Sequence, residues 1–398
     1  MEKRGSLIRQ FREKENGPIH IARDLIGTVY DDLEKHQGLL GPGEVWDLPA
    51  RFSADPEKVE NLTFDDMLPL WVGGSARREL TAEVLEHYSR FLREIDHLRL
   101  LAPFLDAEIG GQYTRMITDL GTVIDVNLIT RYLKHSEGDH IYILELGGGY
   151  GRLAEAFLGI FENQAKYVML DAVPESLVYA YLYLSRNFPD RRIGFYYSGH
   201  DFDFVTYDCY IVPTWRFEEL NRYTFDVAIN INSMQEMKQE QIDYYLSLFD
   251  RVTKLGGEIY VSNSRDYYQK EFRYPKRWRL LFKQNTPRSW TPHDPIEVFQ
   301  KAERDYDREN LDIETQYLRE LCAAYERDYQ EKRKIIHEMQ SWNRKLSEGN
   351  IAAQARIREL EKWRGAQAGT IYLMKAVVEF SRRQFKRMRH ISIESMKK

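Results

Sequence analysis

The fold is decided by the stretch Ile141-Tyr142-Ile143-Leu144-Glu145-Leu146-Gly147-Gly148-Gly149-Tyr150-Gly151-Arg152-Leu153. An apolar, β-branched run leads directly into spaced glycines at 147, 149 and 151, and an amphipathic segment follows over 152–161. This order of strand, tight glycine turn and helix is the opening βα unit of a nucleotide-type Rossmann sheet. Glycine is needed in such a turn because the backbone bends sharply and a ligand lies against it with no Cβ in the way.

The spacing of the glycines indicates which cofactor the turn would hold. A dinucleotide fingerprint would place its third glycine at position 152, where Arg152 stands instead. The pattern that begins at Glu145 is Glu-x-Gly-x-Gly-x-Gly, so an acid ends the strand. Such a site suits a cofactor with a cationic amino acid end better than a pyrophosphate. The turn therefore predicts S-adenosylmethionine as the cofactor.

A second acid follows the next apolar run. Tyr167-Val168-Met169-Leu170 ends in Asp171, twenty residues beyond Gly151. In doubly wound folds an acid at the tip of the second strand accepts hydrogen bonds from ribose hydroxyls. The alternative is that Asp171 only caps a helix beginning near Pro174. We favour the ribose role because strand, loop and acid fall in the expected register together.

Composition favours a soluble protein of the cytoplasm. The chain has 398 residues, 30% of them charged, and its mean hydropathy is negative. No apolar run approaches the ~20 residues that span a bilayer, and no apolar segment of a secretion signal follows Met1. The two cysteines, Cys209 and Cys322, lie far apart without metal-type spacing, which favours a reducing compartment over a disulfide framework.

The net charge of −5 conceals a basic C-terminus. Residues 370–398 carry eight Lys/Arg and two Asp/Glu, a local charge of +6, which leaves −11 on the rest of the chain. A body of that sign argues against nucleic acid as the main partner. The helix predicted over about 370–391 has one apolar and one basic face, which makes it a candidate for contact with an anionic surface at the inner face of the membrane. Alternatively, its apolar face packs on a neighbouring helix or a second subunit.

Four segments are predicted along the chain. They are a mostly helical N-terminal cap over 1–120, a Rossmann-like domain over 121–302, a helical arm over 303–366 and the basic amphipathic helix within 367–398. In the second segment, strands are predicted at 141–146, 167–171, 208–213, 225–232 and 256–262, with a closing antiparallel pair at 278–282 and 296–299. Strands that alternate with helices indicate an α/β fold: a doubly wound, mostly parallel sheet with helices on both faces.

The arm carries an apolar seam at three- and four-residue steps. Its members are Leu311, Leu318, Leu321, Tyr325, Ile336, Met339 and Leu346, with Lys332 and Asn343 interrupting it. Such a seam predicts either one long coiled coil or, with a turn at 347–350, a helical hairpin. Because an exposed apolar stripe usually marks an interface, we expect a homo-oligomer held together through this arm.

Polar side chains cluster after the fourth predicted strand. Within seven residues that strand delivers Asn230, Asn232, Ser233, Gln235 and Glu236 to the edge where α/β sheets bind ligands. So many polar groups are costly if they only face a core. A loop of capping residues is the alternative.

Three segments resemble a known family. Residues 145–154 (ELGGGYGRLA), 170–175 (Leu-Asp-x-x-Pro-Glu) and 230–237 (NINSMQEM) are similar to the sugar O-methyltransferase family of class I, S-adenosylmethionine-dependent methyltransferases, over about 115–300. The resemblance implies that Glu145, Gly147, Gly149 and Gly151 hold the methionine and ribose parts of the cofactor and that Asp171 holds the ribose. We expect Tyr150, Asn230 and Ser233 to join them. The resemblance does not extend beyond residue 303.

The implied reaction is methyl transfer to a hydroxyl of a sugar or glycan acceptor, in polysaccharide or glycolipid biosynthesis. An in-line displacement mainly needs alignment of donor and acceptor, but a sugar hydroxyl also needs a base to take its proton. Glu236 is the first candidate base and His293, next to Asp294, is the second. Some sugar methyltransferases use a divalent metal, but no His or carboxylate cluster here has convincing metal-ligand spacing, so no metal ligands are assigned and metal dependence stays open. A non-sugar acceptor, or a scaffold that only senses the cofactor, are the alternatives.

Overall fold

The protein is described here from a computed structural model, which describes residues 23–36, 91, 93–98, 113–133, 139–161, 164–196, 204–264, 270–285 and 295–362. Contacts within the chain divide it into two compact units, residues 1–321 and 322–398. The first unit contains the sheet. The predicted helix over 370–391 and the candidate base His293 lie outside the described residues.

Eight strands form one sheet. They are β1 (Ile141–Leu146), β2 (Ala165–Asp171), β3 (Ile193–Phe195), β4 (Cys209–Pro213), β5 (Phe225–Ile231), β6 (Thr253–Ser262), β7 (Trp278–Asn285) and β8 (Pro295–Lys301). Their order is β3-β4-β2-β1-β5-β6-β8-β7. The first six in that order are parallel, and β8 pairs antiparallel with both β6 and β7. The predicted fold class is confirmed, with the short edge strand β3 as an element that the sequence did not predict.

Helices cover both faces of this sheet. They are α1 (Arg23–Lys35), α2 (Tyr113–Tyr132), α3 (Arg152–Ile160), α4 (Pro174–Asn187) and α5 (Gln239–Val252). Alternate residues of β1 divide between two cores: Ile143 packs in the core shared with α2, α3 and α4, whereas Leu144 packs in the core shared with α5. The central strands β1, β2 and β5 are therefore buried on both sides, which explains why they are almost continuously apolar.

The chain order of the strands reverses beside β1. From β1 the chain adds β2 on one side, then β3 at the edge and β4 between β2 and β3, and it then returns to add β5 on the other side of β1. In open α/β sheets this reversal opens a crevice at the carboxyl ends of the two central strands, where ligands bind. The residues that follow β1 and β5 are therefore the ones that line the expected ligand site.

A final helix, α6 (Asp307–Lys362), is continuous, so the chain does not turn back at 347–350 as the hairpin alternative requires. Its first turns dock on the edge strand β7. The Asn310 side chain accepts the Leu280 N–H (2.7 Å) and donates to the Trp278 carbonyl (2.8 Å). In these turns Leu321 is buried while Leu311 and Leu318 are exposed, so the predicted seam is not one continuous face.

In the part of the chain that the structure describes, no helix combines the length and the apolar character needed to cross a membrane.

Candidate functional site

The turn between β1 and α3 is shaped by glycines in the left-handed region. Gly147 has φ +79° and Gly149 φ +56°, conformations that side chains with a Cβ rarely adopt. At Gly147 a Cβ would also lie 2.1 Å from Ser233 Oγ, so the backbone after β1 passes directly against the loop after β5. The N–H groups of Gly147 and Gly148 donate to the Leu170 carbonyl (2.8 and 3.1 Å), which ties the turn to the end of β2.

Asp171 connects the same turn to the start of α4. One carboxylate oxygen accepts the Gly149 N–H and the other accepts the Val173 N–H, each at 2.9 Å. The N-terminal cap of α4 is Val173, and no side chain caps it, so Asp171 does not act as the cap that the alternative interpretation proposed. Burial raises the pKa of this carboxyl to about 6, although the backbone N–H donors favour its charged form.

Asn230 braces the crevice and makes all its hydrogen bonds within the protein. Its amide nitrogen donates to the Leu146 carbonyl (2.9 Å) and to Ser233 Oγ (2.5 Å). Its amide oxygen accepts from the Met234 N–H (3.3 Å) and from Asn263 Nδ2 (2.9 Å). The fully buried amide thus fixes the positions of β1, β5 and the following loop, a positioning role for a residue that the sequence assigned to cofactor binding.

The loop after β5 is held in place by a residue that the sequence did not single out. Asn263, fully buried directly after β6, accepts the Gln235 N–H at 3.1 Å, and Gln235 Oε1 accepts the Ser264 N–H at 2.6 Å. Asn232 takes a left-handed conformation with φ +54°. Glu236 ends the single helical turn Met234–Glu236 and is half-buried. The only sequence signal that could have identified Asn263 is its position directly after the buried strand β6.

Glu145 lies beneath the glycine turn, on the face of the sheet that carries Tyr167. Its Oε2 accepts the Tyr167 hydroxyl at 2.9 Å, and its side chain is almost completely buried. Burial is the main cause that raises the pKa of Glu145 to about 7. The Tyr167 hydrogen bond and the Arg152 charge oppose this rise, whereas the charges of Asp125 and Asp171 add to it.

Arg152, noted in the sequence only as a departure from the dinucleotide pattern, ties α3 to α2. Its guanidinium donates to Thr122 Oγ1 (2.6 Å) and to Asp125 (3.0 Å). The Tyr260 hydroxyl of β6 donates to the other oxygen of Asp125 at 2.7 Å. The guanidinium next to the turn is therefore engaged with α2.

Helix α1 closes the carboxyl edge over β2 and β4. The Tyr30 hydroxyl donates to Glu175, at the start of α4, at 2.5 Å. Asp32 accepts hydrogen bonds from Trp215 Nε1 (2.8 Å) and Arg216 Nε (3.0 Å), which directly follow β4. Burial raises the pKa of Asp32, but the hydrogen bonds from Arg216 and Trp215 outweigh this effect and leave the pKa below its ordinary value. These contacts place α1 at the carboxyl edge of the sheet, on the side of β2 and β4.

The structure brings most of the predicted site residues to one edge. Those at the ends of β1, β2 and β5 are Glu145, Gly147, Gly149, Gly151, Asp171, Asn230, Ser233 and Glu236. Tyr150 is a core residue whose ring meets Tyr183 edge to face at 5.8 Å. Among the described residues, no group of three or more His, Cys, Asp or Glu side chains could hold a metal ion.

Comparison with known proteins finds similarity only to solved structures. No protein-family model and no curated protein sequence matches the chain. A protein from Listeria monocytogenes that is assigned to the class I S-adenosylmethionine-dependent methyltransferases is 12% identical with a TM-score of 0.35, covering 72% of this chain and 90% of that one. TrmN from Thermus thermophilus is 12% identical with a TM-score of 0.33, over 45% of this chain and 48% of its own.

An rRNA methylase from Streptococcus thermophilus is 11% identical with a TM-score of 0.31, over 45% of this chain and 95% of its own. The chain thus spans about half the length of TrmN and most of the other two. Likenesses this distant carry no argument about activity.

Proposed function

We propose that the chain is an S-adenosylmethionine-dependent O-methyltransferase that transfers a methyl group to a sugar hydroxyl in polysaccharide or glycolipid biosynthesis. The observation that carries the cofactor assignment is the charge around the glycine turn. The Asp171 carboxyl, whose pKa of about 6 leaves it mainly charged at pH 7, lies against the turn, and the Arg152 guanidinium is engaged by Thr122 and Asp125. This arrangement favours a ligand with a cationic end and disfavours a pyrophosphate, which needs positive partners.

The residues at the crevice fit the parts of such a cofactor. The backbone of the turn at 147–151 would lie against the methionine portion. Asp171 accepts the backbone N–H groups of Gly149 and Val173, and a carboxylate has about four lone-pair sites, so it retains acceptor capacity for ribose hydroxyls. Glu145 is hydrogen-bonded to Tyr167 beneath the turn, so it would influence the cofactor through the backbone of the turn and not by direct contact. The bound cofactor would supply an electrophilic methyl group, and the chain would align the acceptor oxygen with it.

Glu236 is the proposed general base. It ends the helical turn Met234–Glu236, which directly follows Ser233. Because Ser233 lies against Gly147, Glu236 belongs to the loop that lines the crevice. The loop is braced by Asn230 and Asn263, which limits its movement. A carboxylate held there could accept the proton of a sugar hydroxyl as the methyl group transfers. His293 stays the second candidate on sequence grounds.

The sugar acceptor rests on the sequence resemblance of residues 145–154, 170–175 and 230–237.

Calorimetric titration with S-adenosylmethionine tests the cofactor assignment. We expect the wild-type protein to bind and Asp171→Ala to bind at least tenfold more weakly, because hydrogen bonds to charged groups contribute about 1.5–3 kcal/mol. Asp190→Ala, which removes an exposed acid beyond α4, is the matched control and should bind like the wild type. Absence of binding by the wild type, with Asp171→Ala behaving identically, would overturn the proposal.

A methyl-transfer assay over nucleotide sugars, oligosaccharides and lipid-linked sugars tests the acceptor. Glu236→Gln is expected to lower kcat by about 10²–10⁴-fold without changing cofactor affinity, because only the base is lost. Glu240→Gln, an exposed position in the first turn of α5, controls for loss of charge. Transfer to proteins or to metabolites without a sugar, and to none of the glycans, would contradict the sugar assignment.

A further inference from the structure

The second compact unit begins within α6, and its described part, residues 322–362, is helical throughout. Several large apolar side chains of this helical part are exposed to solvent. Ile335, Met339 and Trp342 are 49%, 37% and 67% exposed. Their spacing of four and three residues places them in one stripe of the helix. A stripe of this kind is typical of a surface that a partner helix covers.

The sequence around the stripe follows a heptad repeat. With Met339 at position a, the other a positions are Tyr325, Lys332 and Leu346, and the d positions are Asp328, Ile335, Trp342 and Gly349. The repeat is therefore apolar at every a and d position from 335 to 346. In a coiled coil these two positions face the partner. The repeat therefore identifies a second helix with the same repeat as the occupant that fits the stripe.

Charge decides how two copies would pair. A parallel pair places Lys332 opposite itself, because a positions then face a positions, and two like charges meet in the seam. An antiparallel pair centred near residue 337 places a opposite d instead. Met339 then faces Ile335 of the second copy, and Lys332 faces Trp342, where an ammonium group over an indole ring is favourable. The same register puts Glu331 opposite position 345, a lysine, on the flank.

We infer that residues 325–349 form an antiparallel two-stranded coiled coil with a second copy of this chain. The inference is independent of the proposed methyl transfer, since it rests on the exposed stripe and the charge pattern of the arm alone. The competing occupant is the segment 363–398 of the same chain, which would leave the protein monomeric.

Light scattering coupled to size exclusion tests the association with the full-length protein. We expect the wild type to have twice the 47.3 kDa mass of one chain at micromolar concentrations. Ile335→Glu combined with Trp342→Glu should give a single-chain mass with an unchanged circular dichroism signal from the sheet unit. His337→Glu combined with Gln340→Glu adds the same charges at exposed positions off the seam and should stay dimeric. A monomeric wild type, or a control pair that dissociates equally, would overturn the inference.

The orientation can be tested with the native cysteines. Cys322 is exposed and Cys209 is buried, and in the antiparallel register position 350 falls opposite Cys322 of the second copy. Asn350→Cys should therefore yield a covalent dimer with a short bismaleimide, and adding Cys322→Ser should abolish it. Within one continuous helix the two positions are ~42 Å apart at 1.5 Å per residue, so reaction within a chain is ruled out. Crosslinking that survives Cys322→Ser would indicate a parallel pair, and no crosslinking with Asn350→Cys would refute the register.

Discussion

Gly147→Ala probes the close approach between the loops after β1 and β5. An alanine Cβ at this position would lie 2.1 Å from Ser233 Oγ and 2.3 Å from Ser233 Cβ. The hydroxyl could swing away, but the Cβ is fixed by the backbone of the loop, so one loop has to move. The left-handed φ of +79° adds strain for any residue with a Cβ.

Gly256 in β6 offers a matched control. Its φ is +77°, almost the same as that of Gly147, but a Cβ there would meet nothing within 4 Å. Gly256→Ala therefore carries only the cost of the left-handed backbone, about 1–2 kcal/mol. Gly147→Ala carries the same cost plus overpacking of about 1–3 kcal/mol. The difference between the two variants in the free energy of unfolding is thus expected to be about 1–3 kcal/mol.

Urea unfolding of both variants measures this difference, and a double variant isolates its cause. Ser233→Gly removes the Oγ and Cβ atoms, after which the nearest atom, Ser233 Cα, lies at an ordinary contact distance of 3.8 Å. Gly147→Ala combined with Ser233→Gly should therefore be more stable than the sum of the single losses predicts. Equal destabilisation by Gly147→Ala and Gly256→Ala, or strictly additive losses in the double variant, would refute the reasoning.

Two further predictions concern buried carboxyls. Because burial raises the pKa of Glu145 to about 7 from 4.5, its contribution to stability is present below about pH 4.5 and is lost as the pH rises through about 7. Glu145→Gln should remove this loss, so that its stability relative to wild type rises by about 3 kcal/mol between about pH 5 and about pH 8 in urea unfolding. Parallel pH profiles would contradict this expectation. Asp32→Asn should cost about 1.5–3 kcal/mol, because an amide N–H replaces an acceptor facing Trp215 and Arg216, and it should speed hydrogen exchange in α1. Asp31→Asn, at an exposed position, is the control and should change neither stability nor exchange. If Asp32→Asn leaves the exchange protection of α1 unchanged, the hydrogen bonds from Trp215 and Arg216 do not hold this helix.

The central elements of the fold could be predicted from local pattern alone. Strands β1, β2 and β5 are buried on both faces, so their apolar runs stand out from the surrounding sequence. The glycine turn was equally visible, because its positive φ angles demand a residue type that the sequence displays openly. By contrast, β3 has only three residues and no distinctive composition, and it was missed.

The sequence also determined which residues would reach the crevice, because an acid or amide that directly follows a buried strand has to lie at the carboxyl edge of a parallel sheet. Only the tertiary structure decided what each of them does there. The Asn230 amide forms its hydrogen bonds with other groups of the protein, Glu145 lies beneath the turn against Tyr167, and Arg152 is hydrogen-bonded to α2. These roles depend on contacts between residues 22 to 84 positions apart, and no local pattern encodes such pairings. The same holds for α1. Its helical pattern lies in its own sequence, but its position at the carboxyl edge of the sheet depends on side chains that follow the distant strand β4. Its Asp32 contacts Arg216, which is 184 residues away in the chain.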